Sequence, residues 1–135
     1  MIPKLGLLII AFLLAGCAAP IVARVVPAAA GKPDAEVSKL IAASEAKQFP
    51  CTVQRVRDAA GADVSNLGEA GVATVTLPPG GYQVTLYCSS GFHVFKPTAA
   101  VVAKAGKSYR ITGYLLDDSI TIFTMKMRAK VIEQD

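Results

Sequence analysis

The chain has 135 residues, enough for one domain with a real core and too few for two. Fourteen basic and ten acidic side chains leave a net charge of +4. That excess is too small to argue for nucleic acid and supports no more than a weak attraction to anionic surfaces.

The chain opens with Lys4, an apolar run from Leu5 to Ala15, and the quartet Leu14-Ala15-Gly16-Cys17. The run is about half of the roughly 20 residues that a spanning helix requires. Gly16 and Pro20 would weaken its continuation as a helix. A positive start, a short apolar stretch and small residues before a cysteine make a targeting signal, not part of the fold. This segment resembles the precursors of bacterial lipoproteins, whose lipobox the quartet matches. The resemblance covers about the first 20 residues. It implies that the signal peptide 1–16 is removed and that Cys17 becomes an acylated N-terminus, palmitate included. In such lipoproteins Asp after the cysteine favours the inner membrane, so Ala18 points to the outer membrane, periplasmic face. The inner membrane is the alternative. A retained helix is a rival reading, because Lys4 and Arg24 bracket 19 uncharged residues. Ordinary secretory cleavage is a third.

Loss of residues 1–16 removes Lys4 and lowers the net charge from +4 to +3. With Cys17 acylated, Cys51 and Cys88 remain as an even pair in an oxidising compartment, and a disulfide is expected. It would close a loop of about 38 residues, worth roughly 4 kcal/mol of chain entropy. Two separate buried thiols are the other reading. A metal site is not expected, since there is no CxxC and His93 is the only histidine. No cofactor is expected either.

Residues 17–33 are rich in Ala, Val and Pro and read as a tether lifting a domain off the membrane. Alternatively, Ile21 to Val26 adds an edge strand. Over 34–47, Val37, Leu40 and Ile41 fall at i, i+3 and i+4, which predicts a short peripheral helix with Asp34 as its cap. Beyond Pro50 the texture is β. Cys51 to Arg57 is a strand, 58–71 a connection with turn signals at Gly61, Asn66, Gly68 and Gly71. Val72 to Leu77 and Tyr82 to Cys88 flank Pro78-Pro79-Gly80-Gly81 and read as a hairpin. Alternation puts Tyr82, Val84, Leu86 and Cys88 on one face, towards the core, and Gln83, Thr85 and Tyr87 on the other. Cys51 is in phase with Val53, so a bridge between inward cysteines would join two sheets across the core. Thr98 to Lys104 and Tyr109 to Leu116 are further strands, followed by an Asp117-Asp118 turn. A last strand runs from about Ile120 to Val131. Its inward set is Phe123, Met125, Met127, Ala129 and Val131, and its outward set Thr124, Lys126, Arg128 and Lys130. Ile120 and Ile122 break the phase, which suggests a bulge or burial on both faces.

Five or six strands with short turns predict a mainly β fold, a small antiparallel β-sandwich occupying residues 34–135. The stretch Thr76 to Val84 followed by Ala105 to Ile111 resembles PEGA-like and related immunoglobulin-like or transthyretin-like surface modules. There a Pro-Gly turn precedes an aromatic and alternating apolar residues, with a Gly-Lys-x-Tyr strand afterwards. The likeness spans about 51–116 and departs at Gly81, where a charged residue is usual. It implies an accessory domain without catalytic residues.

Candidate chemistry is sparse. His93 lies near Ser89 and Ser90 and would be a base only with an orienting partner. Asp117-Asp118 is good turn chemistry rather than a carboxylate pair. Lys126, Arg128 and Lys130 form a surface stripe suited to phosphate head groups, anionic glycans or an acidic partner. The same cations on an edge strand would also block sheet-to-sheet aggregation. The sequence thus predicts a non-enzymatic, lipid-anchored binding or structural module of a cell-envelope assembly. Its partners would be the membrane, through the lipid, and an envelope protein, but no nucleic acid. One alternative is a small inhibitor or ligand-binding lipoprotein. Tyr87 to Phe95 is similar to a strand of periplasmic lysozyme inhibitors, but lacks a residue between Tyr87 and Cys88 and a partner cysteine near the C-terminus. A hydrolase of envelope polymers is a further alternative and would need His93 to meet a carboxylate.

Overall fold

The computed structural model describes residues 23–116 and 125–134. They form the expected small β-sandwich, built from two sheets. The first sheet has the order β1 (Ala23–Val25), β4 (Thr74–Leu77), β2 (Ser38–Ser44), β8 (Ser108–Leu115), β9 (Met127–Gln134). In the second, β5 (Gly80–Ser90) is central. β3 (Cys51–Asp58) flanks it on one side, and β6 (His93–Phe95) and β7 (Thr98–Ala103) follow one another along the other. The first sheet is mixed, because β1 with β4 and β2 with β8 run parallel. Leu40, Val75, Leu77 and Ile111 from the first sheet meet Val53, Val56, Val84 and Leu86 from the second in a solvent-free core.

The expected helix over 34–47 is instead a 3-10 turn, Asp34–Glu36, followed by strand β2. Ser38 and Leu40 are fully buried and Lys39 and Ile41 point the other way, a period of two. β2 sits between β4 and β8, and pairing on both sides overrides the helical bias of its Ala and Lys residues.

The Pro-Pro-Gly-Gly segment also departs from expectation. It does not close a hairpin, because β4 and β5 lie in different sheets. Proline cannot donate to a ladder, so Pro78-Pro79 ends one sheet and carries the chain across to the other. Gly80 follows at φ 157°, and Tyr82 donates its hydroxyl hydrogen to the Pro78 carbonyl at 2.6 Å. The real hairpin is β5 with β6 and β7. Ser90 faces His93 and Thr85 faces Thr98 in one continuous register. Pro97 interrupts the strand, yet its carbonyl still accepts from the Leu86 N–H. The two-residue turn is Gly91-Phe92, with Gly91 at φ 59°, the sign a type II′ turn needs at its first position.

The segment read as a tether is partly domain. β1 is an edge strand, and Val26 and Ala29 are buried in the core. The connection 59–73 folds back on β3: Ser65 is fully buried, its hydroxyl accepts from the Val56 N–H, and it donates to Asp63. Gly71 takes φ 69°, and a Cβ there would lie 2.3 Å from the Val53 carbonyl oxygen.

Candidate functional site

The cysteines are bridged, with an S–S distance of 2.02 Å. The bridge does not cross the core as expected. Cys51 and Cys88 are directly opposed on β3 and β5 of one sheet, 4.1 Å apart at Cα. Both cysteines face inward, as their phase predicts, but phase alone does not say whether two strands are neighbours or face each other. The opposite sheet closes onto the disulfide through Gly113, whose added Cβ would meet Cys51 Sγ at 2.8 Å and Cys88 Sγ at 3.1 Å.

The alternation expected for the last strand holds where it is described. Met125, Met127, Ala129 and Val131 pack against the core, and Arg128 is exposed. Strand β9 starts at Met127 and runs to Gln134, so Lys126 stands just before it. The cationic stripe is not a row of equivalent groups. Lys130 reaches across β8, lying 5.2 Å from the Tyr114 ring centroid and 2.5 Å from the Glu45 carboxylate. Opposite it Thr112 is buried, and its hydroxyl has no hydrogen-bond partner among the described residues. Lys130 is therefore committed within the fold, and β9 closes one edge of the sheet, where cations oppose edge pairing. Ile120, Ile122, Phe123, Thr124 and the Asp117-Asp118 turn lie outside the described residues, as does the whole lipobox.

His93 begins β6 opposite Ser90. Among the described residues no carboxylate bonds to it. Among the described residues no group of three or more His, Cys, Asp or Glu side chains is placed to hold a metal ion. No helix among them is long and apolar enough to cross a membrane.

Among the described residues two titrations are displaced. Burial opposes ionisation of Asp63, but the Ser65 hydroxyl, the Ser65 and Asn66 N–H groups and nearby Arg55 hold its carboxyl below the usual value. Burial, followed by the charge of Asp58, pushes the Tyr82 hydroxyl up. Both groups fasten the 58–66 and 78–82 loops at one end of the sandwich, a structural task.

The feature that sequence reasoning missed is Phe92. It stands at the apex of the β5–β6 hairpin and is 100% exposed. On the same hairpin Val94 is 46% exposed. With Tyr87, Lys96, Gln54, Glu69 and Ala70 it lines a shallow groove on the outer face of the second sheet. The available signal was the pair Gly91-Phe92 between alternating runs, a two-residue turn with an aromatic at its tip. Comparison of the chain with protein-family models, with curated proteins and with solved structures returns no match.

Proposed function

We propose that this protein is a lipid-anchored, periplasm-facing envelope lipoprotein, held at the outer membrane through Cys17, whose domain serves as a non-enzymatic binding or structural module. The observation carrying this reading is the quartet Leu14-Ala15-Gly16-Cys17 at the end of a short apolar run. The Cys51–Cys88 bridge supports it, since disulfides persist in oxidising compartments. A small β-sandwich offers loops and sheet faces, and such folds carry function at those places. The exposed hairpin tip and the groove beside it are the surfaces this domain presents.

The test is the intact mass of protein purified from membranes, with and without reductant and thiol alkylation. A mass beginning at Cys17 plus acyl groups, with alkylation at Cys51 and Cys88 only after reduction, is expected. A precursor mass overturns the anchor, and alkylation without reduction overturns the compartment argument.

A further inference from the structure

Among the described residues the two sheets have four outer edges, and three of them are protected. β1 is only three residues long. β9 carries Arg128 and Lys130. β3 is covered by the returning 62–72 segment, with Val53 opposite Val72 and Arg57 opposite Asp63. Short length, cations and cover are the usual means of keeping an edge from pairing with another chain. The fourth edge is the one that β6 and β7 share. Its longer strand, β7, has six residues and no charge, pairs only with β5, and leaves Val102 73% exposed.

The register fixes which backbone groups of β7 are free. The Leu86 N–H donates to the Pro97 carbonyl, and hydrogen-bonded pairs alternate with open ones along an antiparallel ladder. Ala99, Val101 and Ala103 therefore bond to β5, while Thr98, Ala100 and Val102 turn their N–H and C=O groups away from it. Among the described residues nothing bonds to these outward groups. The same three residues are exposed, whereas Val101 and Ala103 are buried. The row ends at Lys104, whose N–H donates to the Tyr109 hydroxyl and whose carbonyl accepts from Ser38. Donors and acceptors repeating about every 6.8 Å along a strand match one kind of ligand, another extended backbone.

The flanking side chains say which backbone. Lys96 and Lys104 bracket the strand, both exposed and, among the described residues, without an ion pair. They are in phase with Thr98, Ala100 and Val102, and their eight-residue separation spans about 27 Å. A second copy pairing antiparallel about Ala100 would use the whole row but set Lys96 against Lys104 at both ends. Like charges directly opposed are destabilising, and carboxylates at the same two places are attracted.

We propose that β7 is a strand-addition site for an extended segment of another protein, uncharged in its middle and acidic where it faces Lys96 and Lys104. This rests on the binding-module reading above and deepens it, naming the surface and the chemistry of the partner. It does not depend on acylation of Cys17.

The probe is a synthetic nine-residue peptide of alternating Thr and Val with Glu at each end, compared with a counterpart ending in Lys. Isotope-labelled full-length protein in detergent micelles would be titrated with each, and amide hydrogen exchange read by NMR. The Glu-ended peptide is expected to slow exchange at Thr98, Ala100 and Val102, leave Arg128 and Lys130 on β9 unchanged, and bind about tenfold more tightly than the Lys-ended one. Ala100→Pro removes an outward N–H without touching the β5 ladder, a substitution that sheet edges tolerate. It should abolish binding at an unchanged urea midpoint. Lys96→Glu with Lys104→Glu alters only exposed side chains and should invert the preference between the peptides. Unchanged exchange at the three amides with either peptide overturns the strand-addition site. Equal affinity for the two peptides overturns the acidic partner. Slowed exchange at these amides without peptide, together with a dimer mass in sedimentation, gives the edge to a second copy and overturns the inference. These failures leave the envelope reading standing, because the intact mass tests it separately. A precursor mass with peptide binding intact would remove the anchor and leave the edge.

Discussion

Gly113→Ala tests whether the two sheets are held at their present spacing by the disulfide. The added methyl would stand 2.8 Å from Cys51 Sγ, 2.8 Å from Met127 Cε and 3.1 Å from Cys88 Sγ. Met127 can turn its terminal methyl away, but the sulfurs are fixed by their bond and by two paired strands. Overpacking of this kind costs about 1–3 kcal/mol. With unfolding entropy near 2.1 cal/mol/K per residue over about 110 residues, 2 kcal/mol lowers Tm by roughly 9 °C. The decisive measurement is a double-mutant cycle by thermal or urea unfolding. In a Cys51→Ala, Cys88→Ala background the sulfurs are gone, and the alanine methyl has room. There Gly113→Ala should be neutral, or stabilising by up to about 1 kcal/mol as strand glycines usually are when replaced. A coupling of about 2 kcal/mol between the sites is expected. An equal penalty in both backgrounds would show that the clash is not with the disulfide and would refute the packing argument.

Removal of the bridge by Cys51→Ala with Cys88→Ala should itself cost up to about 4 kcal/mol by the chain-entropy estimate, read as a lower urea midpoint. Ser65→Ala leaves the buried Val56 N–H without its acceptor and unlinks Asp63, so a loss of about 1–3 kcal/mol is expected in the same assay. Thr112→Val should be neutral or raise stability by about 1 kcal/mol, because it replaces a buried hydroxyl that makes no hydrogen bond with a group of similar shape; a loss above 1 kcal/mol would show that the hydroxyl has a partner. The Asp63 carboxyl is held below its ordinary value in the folded protein. Its contribution is therefore present above the unfolded-state value near 4 and is lost as pH falls through the folded value. Tyr82 is displaced upward, so its contribution is full below about pH 10 and is lost as pH rises through the folded value. Asp63→Asn should flatten the acid limb of a stability–pH curve, and Tyr82→Phe the alkaline limb.

Much of the β architecture was legible because alternation reports burial directly. Tyr82, Val84, Leu86 and Cys88 face inward on β5, and Met127, Ala129 and Val131 do so on β9, as the pattern implied. What alternation lacks is any statement of partnership. Cys51 and Cys88 were both inward in the sequence, and that fact is equally compatible with a bridge across the core or one between neighbours. β2 was misread for the reverse reason. Val37, Leu40 and Ile41 fit a helical period, while Ser38, Leu40 and Ala42 against Lys39, Ile41 and Ala43 fit a strand. Only its place between β4 and β8 decides between them.

The two turns that flank β5 show the same limit. Pro78-Pro79-Gly80-Gly81 has hairpin composition, yet its tandem prolines withdraw two donors where a hairpin ladder would begin. The chain leaves the first sheet there and enters the second. Gly91-Phe92 has only one turn residue and no proline, and it closes a tight hairpin because the strands on both sides keep register through Pro97. Had the Pro-Gly segment been the hairpin, β5 would have paired with β4 and the Ser89 to Phe95 stretch would have been a loop at a sheet edge. Because β5 is instead the central strand of its own sheet, it carries Phe92 past the disulfide to the tip of a tight hairpin. Phe92, 100% exposed, thus stands at a tip set by the pairing of β5 with β6 and β7. That placement arises from sheet topology, which no local pattern in the sequence specifies.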